Sequence, residues 1–84
     1  MTPASILDII ATNIRQIVPG LEQVNISRED MLSPLGLDSV GRAELIEKTL
    51  EDLDLRVSRF DFHSAANLGQ LADLLYQKLE GAQL

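Results

Sequence analysis

Apolar residues recur at helical spacing in three stretches of the chain. From about Pro3 to Val18, Ile6, Ile9, Ile10, Ile14 and Ile17 fall on one face, the i, i+3, i+4 periodicity of a helix buried along one side. Thr2 offers a capping oxygen, and Pro3 suits the first helical position, where its missing N–H would have had no partner inside the helix. Pro19-Gly20 ends the pattern. From about Ser39 to Leu53, Ala43, Ile46, Leu50 and Leu53 group on a helical wheel and are expected to face the core. Glu44, Glu47 and Glu51 form a separate stripe, with Val40 beside it near the helix start, and Asp38 is the natural N-cap. From about Leu68 to Leu79, capped by Asn67 and followed by Gly81, Leu68, Leu71, Ala72, Leu75 and Leu79 make a third buried stripe. Between the second and third helices, Ser58 to Ser64 predicts a short helical turn carrying Phe60 and Phe62. No stretch alternates apolar and polar residues over a strand length. The expected fold class is therefore all-α, three main helices plus one short one.

Pro19 to Asp38 breaks the periodicity. Structureless connections of this length are uncommon in compact domains and are usually functional or disordered. This one is rich in Leu21, Val24, Ile26, Met31, Leu32, Leu35 and Leu37, which can anchor it over the helices, and Ser27 and Asp30 can cap a turn within it. A long anchored loop between helices one and two is expected, delivering the chain to the start of the second helix.

Composition narrows the functions available. At 84 residues the chain is read as a single domain, 1–84, near the lower size limit for a self-sufficient core. Its 45% apolar content is mostly aliphatic, with Phe60, Phe62 and Tyr76 as the aromatics and no Trp, which argues against a deep aromatic pocket for a flat cofactor. There is no Cys and a single His63, so neither a disulfide nor a thiolate metal site can form and no metal is expected. No apolar run is long enough to span a bilayer and no signal-peptide pattern opens the chain, so a cytoplasmic protein is expected. A net charge of −6 and a pI near 4.5 disfavour nucleic acid and anionic membranes, and favour partners with basic patches. A monomer is expected.

Chemistry concentrates in Leu35-Gly36-Leu37-Asp38-Ser39-Val40. Gly36 allows a sharp turn before the helix. Asp38 and Ser39 then stand at a helix N-terminus, where unsatisfied N–H groups and the positive end of the helix dipole favour an anion. An isolated Asp-Ser pair is usually an ordinary cap. Placed after a long loop in an acidic helical chain of this size, the motif resembles that of the acyl carrier protein family, and the resemblance covers essentially the whole chain. It implies that Ser39 is the phosphopantetheine attachment site with Asp38 as its neighbour. It also implies that Glu44, Glu47, Glu51 and Asp52 form the acidic docking surface for basic partner enzymes, and that Val40 is the apolar contact after the modified serine. Without the resemblance, the glutamates read equally well as a solvated helix face. A catalytic function has no support: His63 is the only imidazole, and no Ser-His-acid set or oxyanion site is evident.

Gly41 and Arg42 depart from the fatty-acid type of carrier, which usually has an acidic and then a small polar residue at those positions. Neither helps the helix: Gly costs about 1 kcal/mol relative to Ala, and a cation near the N-terminus opposes the dipole. A recognition role for Arg42 stands beside tolerated surface variation. Asp38-Ser39-Val40-Gly41-Arg42-Ala43-Glu44-Leu45-Ile46, with Asn67-Leu68-Gly69-Gln70-Leu71-Ala72-Asp73-Leu74, more narrowly resembles the free-standing donor carriers of polyketide β-branching cassettes, although Phe60 to Ala66 departs from that group. Acceptor carriers of such cassettes commonly show a Trp beyond the serine helix, and this chain has none. The resemblance implies a short acyl cargo, acetyl or similar. It implies as partners a phosphopantetheinyl transferase, an acyltransferase, a ketosynthase-like decarboxylase and a hydroxymethylglutaryl-synthase-like condensing enzyme. The alternatives are a general fatty-acid or peptidyl carrier or, from a different class, a helical interaction module without a prosthetic group.

Overall fold

A computed structural model describes residues 1–82. In chain order these form α1 (Pro3–Ile17), α2 (Ser39–Asp52), a single 3-10 turn η1 (Arg59–Phe62) and α3 (Leu68–Ala82). The bundle thus has three α-helices and one short 3-10 helix rather than four equal ones. α2 and α3 both pack on α1, and η1 bridges α2 and α3.

α1 begins as its cap residues dictate: Thr2 is extended and its Oγ1 accepts from the Ser5 N–H at 3.2 Å. Ile6, Ile10 and Ile14 are completely buried, while Ile9 and Ile17 pack at the margin of the core. α3 is capped by Asn67, whose Oδ1 accepts from the Gln70 N–H at 2.8 Å. It buries Leu68, Leu71, Ala72 and Leu75, with Leu79 partly covered, and it runs on through Gly81 to Ala82, past the predicted end.

The buried face of α2 differs from the one its apolar spacing predicts. Ile46, Leu50 and Leu53 are buried as expected, but Leu45 and Thr49 join them and Ala43 stays partly exposed. The cause lies on α1, where Asn13 is buried and its Nδ2 donates to Thr49 Oγ1 at 3.1 Å and to Asp52 Oδ2 at 2.9 Å. The Thr49 hydroxyl in turn donates to the Leu45 carbonyl at 2.8 Å. Buried polar groups must be paired, so this chain of bonds turns a polar position of α2 toward the core, which a hydrophobic pattern cannot register.

The Pro19–Asp38 segment is a run of turns with Leu32 and Leu37 in the core. Leu21, Ile26 and Leu35 pack against it. Val24 and Met31, expected among the anchors, are exposed. Within the loop, Asp30 Oδ2 accepts from the Ser27 N–H at 2.7 Å. The loop is fastened to the first turn of α3, where Leu68 and Gly69 donate their N–H groups to the Asp30 and Arg28 carbonyls at 3.0 and 2.9 Å. A Cβ at Gly69 would lie 3.0 Å or less from Arg28 side-chain atoms, so glycine is what lets the loop approach this closely. No described helix is long and apolar enough to cross a membrane.

Candidate functional site

The end of the long loop fixes where α2 starts. The Gly36 N–H donates to the Ser33 carbonyl at 2.9 Å, and Leu37 donates to the Leu32 carbonyl at 3.1 Å. This tight reversal needs the positive φ of Gly36, +101°. Leu37 then locks the chain into the core, and Asp38 leaves it extended. Asp38 Oδ1 accepts from the Gly41 N–H at 2.8 Å, and its carbonyl accepts from the Arg42 N–H at 2.8 Å. Asp38 thus supplies the cap, and Ser39, the first helical residue, is exposed with its side chain left out of the capping bond.

Val40 stands beside Ser39 with 76% of its surface exposed. Glu44, Glu47 and Glu51 are all exposed along α2, but they are not equivalent: Glu47 Oε1 accepts from Arg59 Nη1 at 2.8 Å. Asp52, which the resemblance adds to the docking surface, is exposed as well, with one carboxylate oxygen accepting from Asn13 Nδ2 on α1 at 2.9 Å.

Arg42 has a task inside the molecule. Its Nη2 donates to the carbonyls of Ala65 at 3.1 Å and of Phe62 and His63 at 3.4 Å, gathering the C-terminal end of η1 onto α2. This accounts for a cation where the helix dipole opposes one, because the charge is spent on carbonyls of the neighbouring turn.

η1 itself splits its two aromatic residues. Phe62 is completely buried, whereas Phe60 is 72% exposed and carries the Arg59 guanidinium 4.9 Å from its ring centroid. A cleft of about 430 Å³ runs between α2 and η1, lined by Ser39, Arg42, Ala43, Ile46, Arg59, Phe60 and His63. Arg59 and Phe60 therefore belong to the surroundings of Ser39, although nothing in their spacing marked them. The pattern does not separate Phe60 from Phe62, since the way η1 is seated against the bundle decides which ring faces inward. Among the described residues, no group of three or more His, Asp or Glu side chains is placed to hold a metal ion.

The helices pack on α1, and an exposed serine stands at the start of α2 after a long anchored loop. No protein-family model matches the chain. It is 40% identical over 82 residues to the polyketide biosynthesis acyl-carrier-protein AcpK of Bacillus subtilis (strain 168), covering 98% of this chain and 100% of that protein. It is also 43% identical to a chain in the crystal structure of the curacin biosynthetic pathway HMG synthase in complex with acetyl donor-ACP, with a TM-score of 0.86, covering 89% of this chain and 96% of that one. The chain belongs to the acyl carrier proteins of polyketide biosynthesis, and as such it carries acyl groups without catalysing their reactions.

Proposed function

We propose that the chain is the donor carrier of a polyketide β-branching system, bearing a short acyl group, acetyl or similar, on a phosphopantetheine arm esterified to Ser39 and presenting it to an HMG-synthase-like condensing enzyme. The observation that carries the reading is the exposed hydroxyl-bearing Ser39 at the open N-terminus of α2, in a chain 43% identical to a protein seen in the acetyl donor-ACP complex. The residues present fit the group. Ser39 offers the ester oxygen, and the first turn of the 14-residue α2 offers the positive end of a helix dipole to a phosphodiester anion. The Asp38 carboxylate is engaged by the Gly41 N–H as the helix cap. When bound, the arm supplies a thiol that holds an acyl group as a reactive thioester.

The rest of the chain positions and advertises that serine. Glu44 and Glu51, with Glu47 shared with Arg59, form an acidic face for the basic rims of the enzymes that modify, load and unload the carrier. These are the transferase that attaches the arm, an acyltransferase, a ketosynthase-like decarboxylase and the condensing enzyme. Exposed ion pairs are individually weak and screened by salt, so docking is expected to be fast and reversible, as a shuttle requires. The acidity weakly disfavours a peptidyl carrier, and Gly41-Arg42 a fatty-acid one.

The test is mass spectrometry after incubating the apo protein with coenzyme A and a broad-range phosphopantetheinyl transferase. One phosphopantetheine is expected on Ser39 and none on Ser39→Ala; an unmodified wild-type chain beside a modified control carrier overturns the reading. Transfer of acetyl from the loaded carrier to the condensing enzyme, with slower loading by an amino-acid-adenylating enzyme, separates the donor from the peptidyl alternative.

A further inference from the structure

η1 places its two phenylalanines in opposite environments, and its fastening explains how the exposed one is held there. Phe62 anchors the turn in the core with no exposed surface. Arg42 grips the carbonyls of Phe62, His63 and Ala65 from α2. Arg59 reaches back to Glu47 at 2.8 Å and lies over the Phe60 ring, while the Phe60 N–H donates to Ser58 Oγ at 3.2 Å. A single turn tied at both ends keeps an aromatic ring out in water, on the wall of the cleft that also contains Ser39.

A lone exposed apolar residue needs no explanation. This one sits on a turn tied at both ends, shares its cleft with the serine and lies on the same α2–η1 side as Val40, itself 76% exposed. An enzyme that docks on this side of α2 to receive cargo from Ser39 would cover both side chains. Buried aromatic anchors ringed by polar contacts carry a disproportionate share of interface energy. A second copy of the chain is a poor occupant, because a symmetric contact would set the Glu44 and Glu51 carboxylates of two chains of net charge −6 against each other.

We infer that Phe60 is the docking anchor for the condensing enzyme that takes the acyl group, fitting an apolar recess beside the basic rim that meets Glu44 and Glu51, and that Arg42 acts in that step as a positioning residue, by holding η1 and so Phe60. This rests on the donor-carrier reading given above.

The experiment uses the full chain as wild type, Phe60→Ala, Phe60→Tyr, Arg42→Ala and the Phe60→Ala/Arg42→Ala double variant. Each is converted to the acetyl-loaded form, confirmed by mass, and assayed for acetyl transfer to the cognate HMG-synthase-like enzyme. Phe60→Ala should raise KM on the order of tenfold, with kcat and the thermal midpoint of the free carrier unchanged, and Phe60→Tyr should restore most of the loss. Arg42→Ala should raise KM by less, and should add nothing in the Phe60→Ala background. Wild-type transfer with an unaltered KM for Phe60→Ala overturns the anchor while leaving the donor reading intact. Equal Arg42→Ala effects in both backgrounds overturn the positioning role. A wild-type chain that is loaded but not used by the condensing enzyme overturns both the donor reading and this inference.

Discussion

Between α1 and α2 the chain crosses Pro19–Asp38 with its own backbone tied to α3: the carbonyls of Arg28 and Asp30 accept from the N–H groups of Gly69 and Leu68. Between α2 and α3 it crosses Leu53–Asn67, and there the carbonyls of Phe62, His63 and Ala65 accept from one side chain, Arg42. Both connections also send leucine or phenylalanine into the core, Leu32 and Leu37 in the first, Leu55 and Phe62 in the second. The difference lies in which donors dominate: on the carbonyls of the first connection a single side-chain donor, Arg15 Nη2 on Val24 at 3.1 Å, joins the backbone donors from α3, whereas the second is gathered by Arg42. Backbone donors survive almost any substitution, so the first connection is robust provided Gly69 leaves room for it. Side-chain donors vanish with one codon. The loop that delivers the chain to Ser39 is therefore fastened to α3 through its backbone, with Arg15 and Asp30 adding side-chain bonds, whereas the turn beside Ser39 depends chiefly on two or three particular residues. A region built like the second can change its surface without disturbing the bundle.

The sharpest way to break this comparison is to remove the core anchor of the second connection. Phe62→Ala should cost about 3–5 kcal/mol, a large share of the roughly 5–15 kcal/mol that holds a small domain together. Urea denaturation followed by circular dichroism checks it. A loss below about 1 kcal/mol would mean that η1 is held by its polar ties, Arg42 to its carbonyls and Arg59 to Glu47, rather than by Phe62. A smaller effect is expected from Arg42→Ala, on the order of 1–2 kcal/mol, because charged donors contribute more than neutral ones but two of the three bonds are long. Hydrogen exchange should then speed up across 59–65 and leave the amides of Leu68 and Gly69 as protected as before. The smallest effect belongs to the first connection. Arg28 pairs with Asp73 at 2.9 Å, and both side chains are nearly half exposed. Such pairs contribute little, and the Arg28 carbonyl that accepts from Gly69 survives truncation of the side chain. Arg28→Ala should therefore leave the urea midpoint close to the wild-type value. A midpoint shift as large as that of Arg42→Ala would show that the first connection also hangs on a side chain.

Much of this was legible in the chain itself. Thr2, Pro3, Asp38 and Asn67 announced where helices begin, because a cap is a local bond between a side chain and an N–H two or three residues on. The isoleucines of α1 and the leucines of α3 fell where their spacing put them, since each helix packs one uninterrupted apolar stripe. In α2 the buried face includes Leu45 and Thr49 and leaves Ala43 partly exposed, and the bond from Asn13 on α1 that holds Thr49 inside is invisible to an apolar count. Around the site, Asp38 and Ser39 were read from position alone. The division of labour between them, one capping and one left free, needed the Gly41 bond to be seen. Asp52, which the resemblance places in the docking surface with the glutamates, is also tied to Asn13 on α1, a bond that no local pattern shows.

The sequence alone determined three helical stripes, an anchored loop and a serine poised at a helix N-terminus, because spacing, caps and turn residues act over a few neighbouring positions. It is the packing of α2 against η1 that commits Arg42 to the carbonyls of η1, shares Glu47 with Arg59 and leaves Phe60 rather than Phe62 facing solvent beside Ser39. These depend on which residues, up to twenty-three apart in the chain, are brought within hydrogen-bonding distance when α2 and η1 pack together. No local pattern carries that distance.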